Sequence, residues 1–181
     1  KNKAELAQYY QLRWQSLRKP WQQPFGSEKD DLEVQSYHRV IVDDMDNIVG
    51  VGRLHKSGQE HAHIRYMAIS EELRGKGLGK LLINELERIA AQAGVKTIEL
   101  NARTNAIGFY QSLGYVNKGY SHTLYEDVSH DKMIKSISSA ARHLSQMADD
   151  LQQIWYQTIP LSKAMNINIC YFDQAILLTN C

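Results

Sequence analysis

The sequence has few residues that cross-link or interrupt a fold, with two cysteines and three prolines among 181 residues. Cys170 and Cys181 are too few for a disulfide framework and lack the neighbouring ligands of a zinc site, so we expect free thiols and no metal. Lys and Arg total 21 and Asp and Glu total 20, and the net charge of +1 favours neither nucleic acid nor an anionic membrane. No apolar run approaches the ~20 residues of a membrane span, and no signal peptide opens the chain, so we expect a cytoplasmic protein.

The remaining composition is that of an ordered globular protein, with 43% hydrophobic and 23% charged residues. Apolar spacing predicts a helix over residues 4–18, and β-branched runs at 38–42 and 48–54 predict a hairpin. We then expect a strand at 61–69, a helix at 78–93, a strand at 95–100, a short helix at 106–113 and a strand from 115. The helix at 78–93 places Leu78, Leu81, Leu82, Leu86, Ile89 and Ala90 on one face. This alternation indicates a mixed α/β (α+β) sheet.

The run from Ser27 to Asp31 is strongly acidic. Charge runs of this kind are usually exposed to solvent, and we therefore favour a solvated turn over a contact with substrate.

Apolar residues from Ile134 to Trp155 recur at steps of three and four, as in a heptad seam. We expect a linker helix over residues 128–160 and a possible homodimer through residues 131–181. Residues 167–172 and 175–179 are predicted to form a C-terminal β-hairpin, which needs a sheet from elsewhere because a lone hairpin is marginal in water.

Three alternating glycines, Gly75, Gly77 and Gly79, stand between a predicted strand and a predicted helix. Glycines let the backbone turn tightly and bring several N–H groups to an anion, and the helix N-terminus adds a positive dipole. The spacing does not fit the dinucleotide fingerprint, and Leu81 follows Lys80 where a nucleotide P-loop needs Ser or Thr. The run therefore predicts a cradle for a different diphosphate.

Two motifs resemble those of the GNAT acyltransferases. Arg74, Gly77 and Gly79 match the R/Q-x-x-G-x-G/A signature, and residues 106–115 match the A-x-x-F-Y-x-x-L-G-F/Y helix. The resemblance covers about residues 4–125, and we expect a GNAT acyl-CoA-binding domain over residues 1–127.

This resemblance implies a mixed sheet in which two strands separate, acetyl-CoA or coenzyme A as the cosubstrate, and acyl transfer to an amine. No feature of the sequence selects the acceptor. The cofactor-binding residues that the resemblance implies are Met67, Ala68, Ile69, Arg74, Gly75, Lys76, Gly77, Leu78, Gly79, Lys80, Asn101, Arg103, Asn105 and Phe109. The family often has asparagine where this chain has Arg103, so the side chain that makes the contact near Asn101 and Asn105 stays open.

The resemblance also suggests two catalytic residues. Tyr110 occupies the family position of the general acid, against the alternative that it only packs beside Phe109. His63 lies where some family members carry a glutamate base, and an imidazole with a pKa near 6.5 suits that role. The alternative is a histidine on a half-exposed strand face.

The C-terminal part, residues 155–181, resembles the start of a hot-dog thioesterase-like domain that some bacterial proteins fuse to a GNAT module. We expect residues 161–181 to be the truncated start of such a domain and the natural protein to continue past Cys181. The alternative function is then an acyl-thioester-binding module that serves a fused hot-dog thioesterase or decarboxylase in fatty-acid metabolism.

Overall fold

A computed structural model of the chain describes residues 3–138 and 168–171. The helices are α1 (Lys3–Leu17), α2 (Leu78–Gln92) and α3 (Ile107–Ser112), with short 3₁₀ turns at Lys19–Trp21, Glu71–Leu73 and Thr104–Ala106. The strands are β1 (Tyr37–Val42), β2 (Ile48–Lys56), β3 (His61–Ile69), β4 (Thr97–Arg103), β5 (Val116–Leu124), β6 (Val128–Ser136) and β7 (Asn168–Tyr171). They form one sheet in the order β5-β6-β4-β3-β2-β1-β7.

The sheet is antiparallel except where β3 and β4 run parallel, joined by the α2 crossover. A parallel neighbour requires such a crossover, and the helix covers one face of the sheet. Ile83 and Leu86 of α2 are fully buried there against strand residues such as Leu54 and Leu100, and Leu82 is fully buried against Ile41 and Val49. The predicted mixed fold is confirmed.

The opposite face of β1, β2 and β3 is covered by α1. Tyr9 and Leu6 of this helix pack against Val40, Val51 and Ala68 of the strands. The two helices therefore enclose the sheet on both sides near its centre.

One position on α2 differs from the predicted stripe. Leu81 is 44% exposed, whereas the adjacent Leu82 is fully buried. Leu81 lies at the edge of the apolar arc, where its angular position on the helix directs its side chain away from the sheet. The prediction that Leu81 belongs to the core face was wrong.

The linker helix predicted over residues 128–160 is wrong for residues 128–136, which form β6. This strand pairs with β4 from Thr97↔Ser136 to Arg103↔His130 and with β5 on its other side. Ile134 and Ile137 are three residues apart and imitate a helical step, but Met133 and Ile137 enter the core and Ile134 is half-buried. Pairing with the edges of β4 and β5 decides the conformation of this segment, and the local spacing of apolar residues does not show those edges.

Most of the other C-terminal predictions lie outside the described residues, including the helix from residue 139 onward, the dimer seam beyond residue 138 and the strand at 175–179. The exception is β7, which pairs antiparallel with β1 from Arg39↔Tyr171 to Val42↔Asn168. The sheet that this strand needs is therefore the one formed by the first part of the chain.

The acidic run after α1 is also different from the expected solvated turn. Glu28 is fully buried, and the carboxylate of Asp30 accepts hydrogen bonds from Arg53 and from the Tyr66 hydroxyl. The Arg13 guanidinium bonds both oxygens of Glu33 at 2.8 Å. These ion pairs tie the loop to α1, β2 and β3.

Candidate active site

A gap opens in the middle of the sheet, between β3 and β4. Their ladder runs from His61↔Thr97 to Ile64↔Leu100 and ends there. Beyond it β3 continues to Ile69 on β2, and β4 continues to Arg103 on β6. Backbone groups of β3 that face the gap are then available to an extended ligand.

A bulge in β3 bends the strand where the gap begins. The register with β2 shifts between Val51↔Ala68 and Arg53↔Arg65, and Tyr66 has a positive φ of 56°. Gly52 lies opposite this bulge, where an added Cβ would be 2.6 Å from the Met67 sulfur. An extra residue on one strand increases local bending, which separates β3 from its parallel neighbour.

Tyr66 is held in this uncommon conformation by the loop and by α1. Its hydroxyl donates to Asp30 at 3.0 Å, and the guanidinium carbon of Arg13 lies 3.7 Å from the ring centroid. A non-glycine residue with positive φ costs free energy and persists only where its surroundings determine it. The buried ion pairs therefore help to shape the gap.

The glycine loop follows β3 and leads into α2. Gly75 and Gly77 have φ values of 77° and 86°, a region that side chains other than glycine rarely occupy. Gly77 is the N-cap of α2, and no side chain of the described residues caps the helix. Its first amides are thus available to an anion, with Arg74 and Lys80 beside the same cavity.

The short helix α3 is packed against this loop. An added Cβ at Gly79 would lie 3.2 Å from the Phe109 ring, so glycine allows the aromatic residue to approach. Phe109 makes an edge contact with Tyr110 at 5.0 Å, and Tyr110 makes another with Tyr115 at 5.8 Å. These contacts fix the Tyr110 ring beside the gap.

Tyr110 is both a core residue and a cavity residue. Its side chain is 8% exposed, it lines the cavity, and its hydroxyl has no hydrogen-bond partner within residues 3–138 and 168–171. Burial raises the pKa of Tyr110 to about 12, opposed by the nearby Arg103 charge. The phenol is therefore protonated at neutral pH and can donate to a ligand.

One cavity of about 790 Å³ connects the gap, the glycine loop and α3. It is lined by every residue predicted to bind the cofactor or to act in catalysis except Lys76. Lys76 is exposed in the loop and lies outside the lining. In the part of the chain that the structure describes, no group of three or more His, Cys, Asp or Glu residues could hold a metal ion.

Known proteins share this sequence pattern and this fold. Residues 6–115 match the Acetyltransferase (GNAT) family. The uncharacterized N-acetyltransferase YjcF of Bacillus subtilis is 30% identical over 136 residues, which cover 75% of this chain and 95% of that protein. The chain belongs to the acetyltransferase (GNAT) family. It is an acyltransferase that uses acetyl-CoA as its cosubstrate.

Solved structures of acetyltransferases have the same fold. An aminoglycoside 6'-N-acetyltransferase complexed with coenzyme A has a TM-score of 0.65 at 19% identity, covering 76% of this chain and 93% of that one. Escherichia coli ElaA has a TM-score of 0.64 at 25% identity, covering 75% of this chain and 92% of that one.

The predicted resemblance of the C-terminal part to a hot-dog domain gains no support from these relatives. YjcF is covered almost completely, which leaves no length in it for a second domain.

In this acetyltransferase His63 lies at the start of the gap and lines the cavity. Its Nδ1 is 3.9 Å from the Glu99 carboxylate, and its ring stacks on His55 at 5.7 Å. Burial lowers the pKa of His63 to about 4, against the opposing effect of Glu99. The imidazole is therefore neutral at physiological pH.

Several cavity residues of the acetyltransferase were missed from the sequence. They are Arg18, Arg65, Tyr66, His122, Tyr125 and His130. His130 lies in the segment that was interpreted as a helix, and the sequence from Val128 to Lys135 has no alternation of apolar and polar residues that would have marked a strand. The others come from the loop after α1, the bulge of β3 and the β5–β6 hairpin, which local patterns do not bring together.

No helix among the described residues has the length and the apolar character needed to cross a membrane.

Proposed function

We propose that this acetyltransferase moves the acetyl group of acetyl-CoA to a primary amine in the gap between β3 and β4. The observation that carries the proposal is that the separated strands, the uncapped start of α2 and the free Tyr110 hydroxyl meet in one cavity. The reaction breaks the thioester C–S bond, forms an amide bond and leaves a thiolate that must be stabilised or protonated.

The coenzyme would lie along β3. The backbone of residues 67–69 would pair with its pantetheine arm, because β4 leaves that edge free. Gly75, Gly77 and Gly79 would bring main-chain amides to the diphosphate, and Arg74 and Lys80 would add positive charge. Leu78 is buried beneath the loop and would fix the first turn of α2. Lys76 lies outside the cavity lining and would contribute only long-range attraction of the diphosphate.

Tyr110 would act on the departing sulfur. Its hydroxyl has no competing partner among the residues that the structure describes, and its raised pKa keeps the proton in place until charge develops on the thiolate. Such a preorganised donor is most effective in a buried site, where the dielectric constant is low.

His63 would accept the proton of the amine, directly or through water. A base with a pKa of about 4 is weaker than an ordinary imidazole, but it is unprotonated over the whole physiological range. The Glu99 carboxylate at 3.9 Å would stabilise the imidazolium that forms.

The test is coenzyme A thiol release over a panel of amines, with titration of acetyl-CoA binding. We expect Tyr110→Phe to lower kcat about 100-fold while the Kd for acetyl-CoA changes less than about twofold, because general acids typically contribute this much. Tyr120→Phe is the matched control, since Tyr120 is 68% exposed and lies outside the cavity. Tight acetyl-CoA binding without amine-dependent release would contradict the transferase proposal and favour a thioester-binding module.

A further inference from the structure

Positive charge collects at the end of the cavity that faces α1. Ala102 packs in the core, so the alternation of β4 directs the Arg103 side chain to the opposite face. There its Nη2 lies 3.4 Å from the Leu17 carbonyl oxygen at the end of α1. Arg18 lines the same cavity, and His130 is the register partner of Arg103 on β6.

Within residues 3–138 and 168–171, the guanidinium groups of Arg18 and Arg103 have no acidic partner. Arg18 donates to the carbonyl oxygens of Ser27 and Leu17. Among the described residues, Arg103 makes the long contact to Leu17, and its guanidinium carbon lies 6.0 Å from the Trp21 ring centroid. Of the described residues that line the cavity, none is Asp or Glu. Arg65 is the contrasting case, because it is paired with Asp30 at 3.2 Å.

Like charges that are partly buried and unpaired cost stability unless an anion compensates them. Burial lowers the pKa of Arg103, and the neighbouring charges of Arg18 and Arg74 lower it further. The guanidinium nevertheless keeps its proton at neutral pH. A cleft lined by one sign of charge concentrates ligands of the opposite sign.

The coenzyme diphosphate does not account for this cluster. Its proposed site is the glycine loop at the start of α2, where Arg74 and Lys80 supply the charge. Arg103 and Arg18 instead lie beside the end of α1, on the other face of the sheet from α2. The cavity thus has two groups of cations, one at the glycine loop and one beside the end of α1.

We infer that the acceptor is an amine whose molecule also carries an anionic oxygen group, a carboxylate or a phosphate, which Arg103 binds together with Arg18. The inference rests on the proposed transfer to an amine. A guanidinium binds either group through parallel N–H···O bonds, whereas a second ammonium group on the acceptor is repelled. The inference assigns Arg103 to acceptor binding, whereas the sequence predicted that Arg103 contacts the cofactor.

The experiment compares four acceptors of matched chain length: an ω-amino carboxylate, the ω-amino phosphonate, the ω-amino alcohol and the ω-diamine. We expect kcat/KM for the carboxylate, the phosphonate or both to exceed that for the diamine by about 10- to 100-fold, as for a hydrogen bond to a charged group. Which of the two anions is preferred identifies the anionic group. Equal or better transfer to the diamine or the alcohol would overturn the inference.

Variants of Arg103 locate the effect. Arg103→Gln should raise KM for the preferred anionic acceptor about tenfold or more and abolish the preference, while Arg103→Lys should keep part of it. Lys56→Gln is the charge-matched control, because Lys56 is exposed at the end of β2 and lies outside the cavity. If Arg103→Gln weakens acetyl-CoA binding and leaves the acceptor preference intact, Arg103 belongs to the coenzyme site and the assignment is wrong.

A binding measurement separates this inference from the proposed function. The N-acetylated amino carboxylate is titrated into protein saturated with coenzyme A, with the N-acetylated amino alcohol as the comparison. Tighter binding of the carboxylate, lost in Arg103→Gln, supports the inference even if turnover is slow. Equal binding of the two overturns it. Amine-dependent thiol release without anion preference removes only the acceptor inference, whereas no release with any amine removes the transferase proposal.

Discussion

At the residue scale, Gly77 is the position where backbone conformation most directly determines binding. Its φ of 86° places it in the left-handed region at the N-cap of α2, and no atom of the described part of the chain lies within 4 Å of an added Cβ. A side chain would therefore meet no steric obstacle. The cost would come from the backbone, because L-residues avoid this conformation.

We predict that Gly77→Ala raises the Kd for acetyl-CoA about tenfold and lowers the free energy of unfolding by about 1 kcal/mol, since the loop must carry strain or realign its amides. Titration calorimetry and urea denaturation measure the two effects. Gly108→Ala is the control, because Gly108 lies in α3 without positive φ and with open space around it. Unchanged acetyl-CoA binding in Gly77→Ala would contradict the diphosphate cradle.

His63 supports a prediction about the pH dependence of the rate. Its pKa of about 4 lies below the ordinary value near 6.5, so the imidazole stays unprotonated down to about pH 5. We therefore expect log kcat/KM to rise with a slope of one from about pH 5.5 up to the pKa of the amine, without a break between about 6 and 7. A break near 6.5 that disappears in His63→Gln would show an ordinary histidine pKa instead.

At the scale of elements, α2 shows what a periodic pattern can and cannot predict. The spacing of its leucines places the helix within one residue of its observed bounds, because a buried face needs a repeat near 3.6. The same pattern cannot decide which residues at the edge of that face reach the core. Leu81 and Leu82 are neighbours in sequence and opposite in burial.

We predict that Leu82→Ala lowers the free energy of unfolding by about 2–5 kcal/mol, because it leaves a cavity among buried residues, while Leu81→Ala changes it by less than about 0.5 kcal/mol. Urea denaturation of both variants measures the difference, and each serves as the other's control. Equal losses would mean that Leu81 is buried in solution.

The same limit explains the errors in β6 and in the loop after α1. β6 carries apolar residues at spacings that also fit a helix, and only its position between β4 and β5 makes it a strand. Glu33 and Asp30 are acidic residues whose partners, Arg13 and Arg53, are remote in sequence. The coenzyme half of the site could be predicted because it is a local motif. The acceptor half could not, since it combines the end of α1, the β3 bulge and the β5–β6 hairpin.

At the scale of the whole molecule, a buried polar cluster connects α1, the loop after it and the strands β1, β2 and β3. Its members are Tyr9, Arg13, Asp30, Glu33, His38, Arg53 and Tyr66. Within it, His38 donates from Nε2 to the Glu33 carbonyl oxygen at 2.8 Å, and its Nδ1 is 2.8 Å from the Tyr9 hydroxyl. A carbonyl can only accept, so the neutral ring carries its proton on Nε2 and accepts from Tyr9 at Nδ1. Protonation of His38 would remove that acceptor inside the core.

This cluster makes the stability of the fold depend on pH. Burial lowers the pKa of His38 to about 4, compared with about 6.5 for a histidine in the unfolded chain. Between these values the unfolded chain takes up a proton that the native state excludes, so the free energy of unfolding falls as pH falls from about 6.5 to 4 and is fully retained above 6.5.

We predict that His38 accounts for a loss of about 2 kcal/mol in the free energy of unfolding between about pH 7.5 and pH 5. Urea denaturation at both pH values measures it, and His63 adds a similar loss in the same window. The variant His38→Gln keeps a donor for the Glu33 carbonyl oxygen and cannot titrate. It should be less stable than the unchanged protein at neutral pH, but its free energy of unfolding should fall by about 2 kcal/mol less on acidification. Identical losses in the two proteins would show that His38 is not held neutral by the fold.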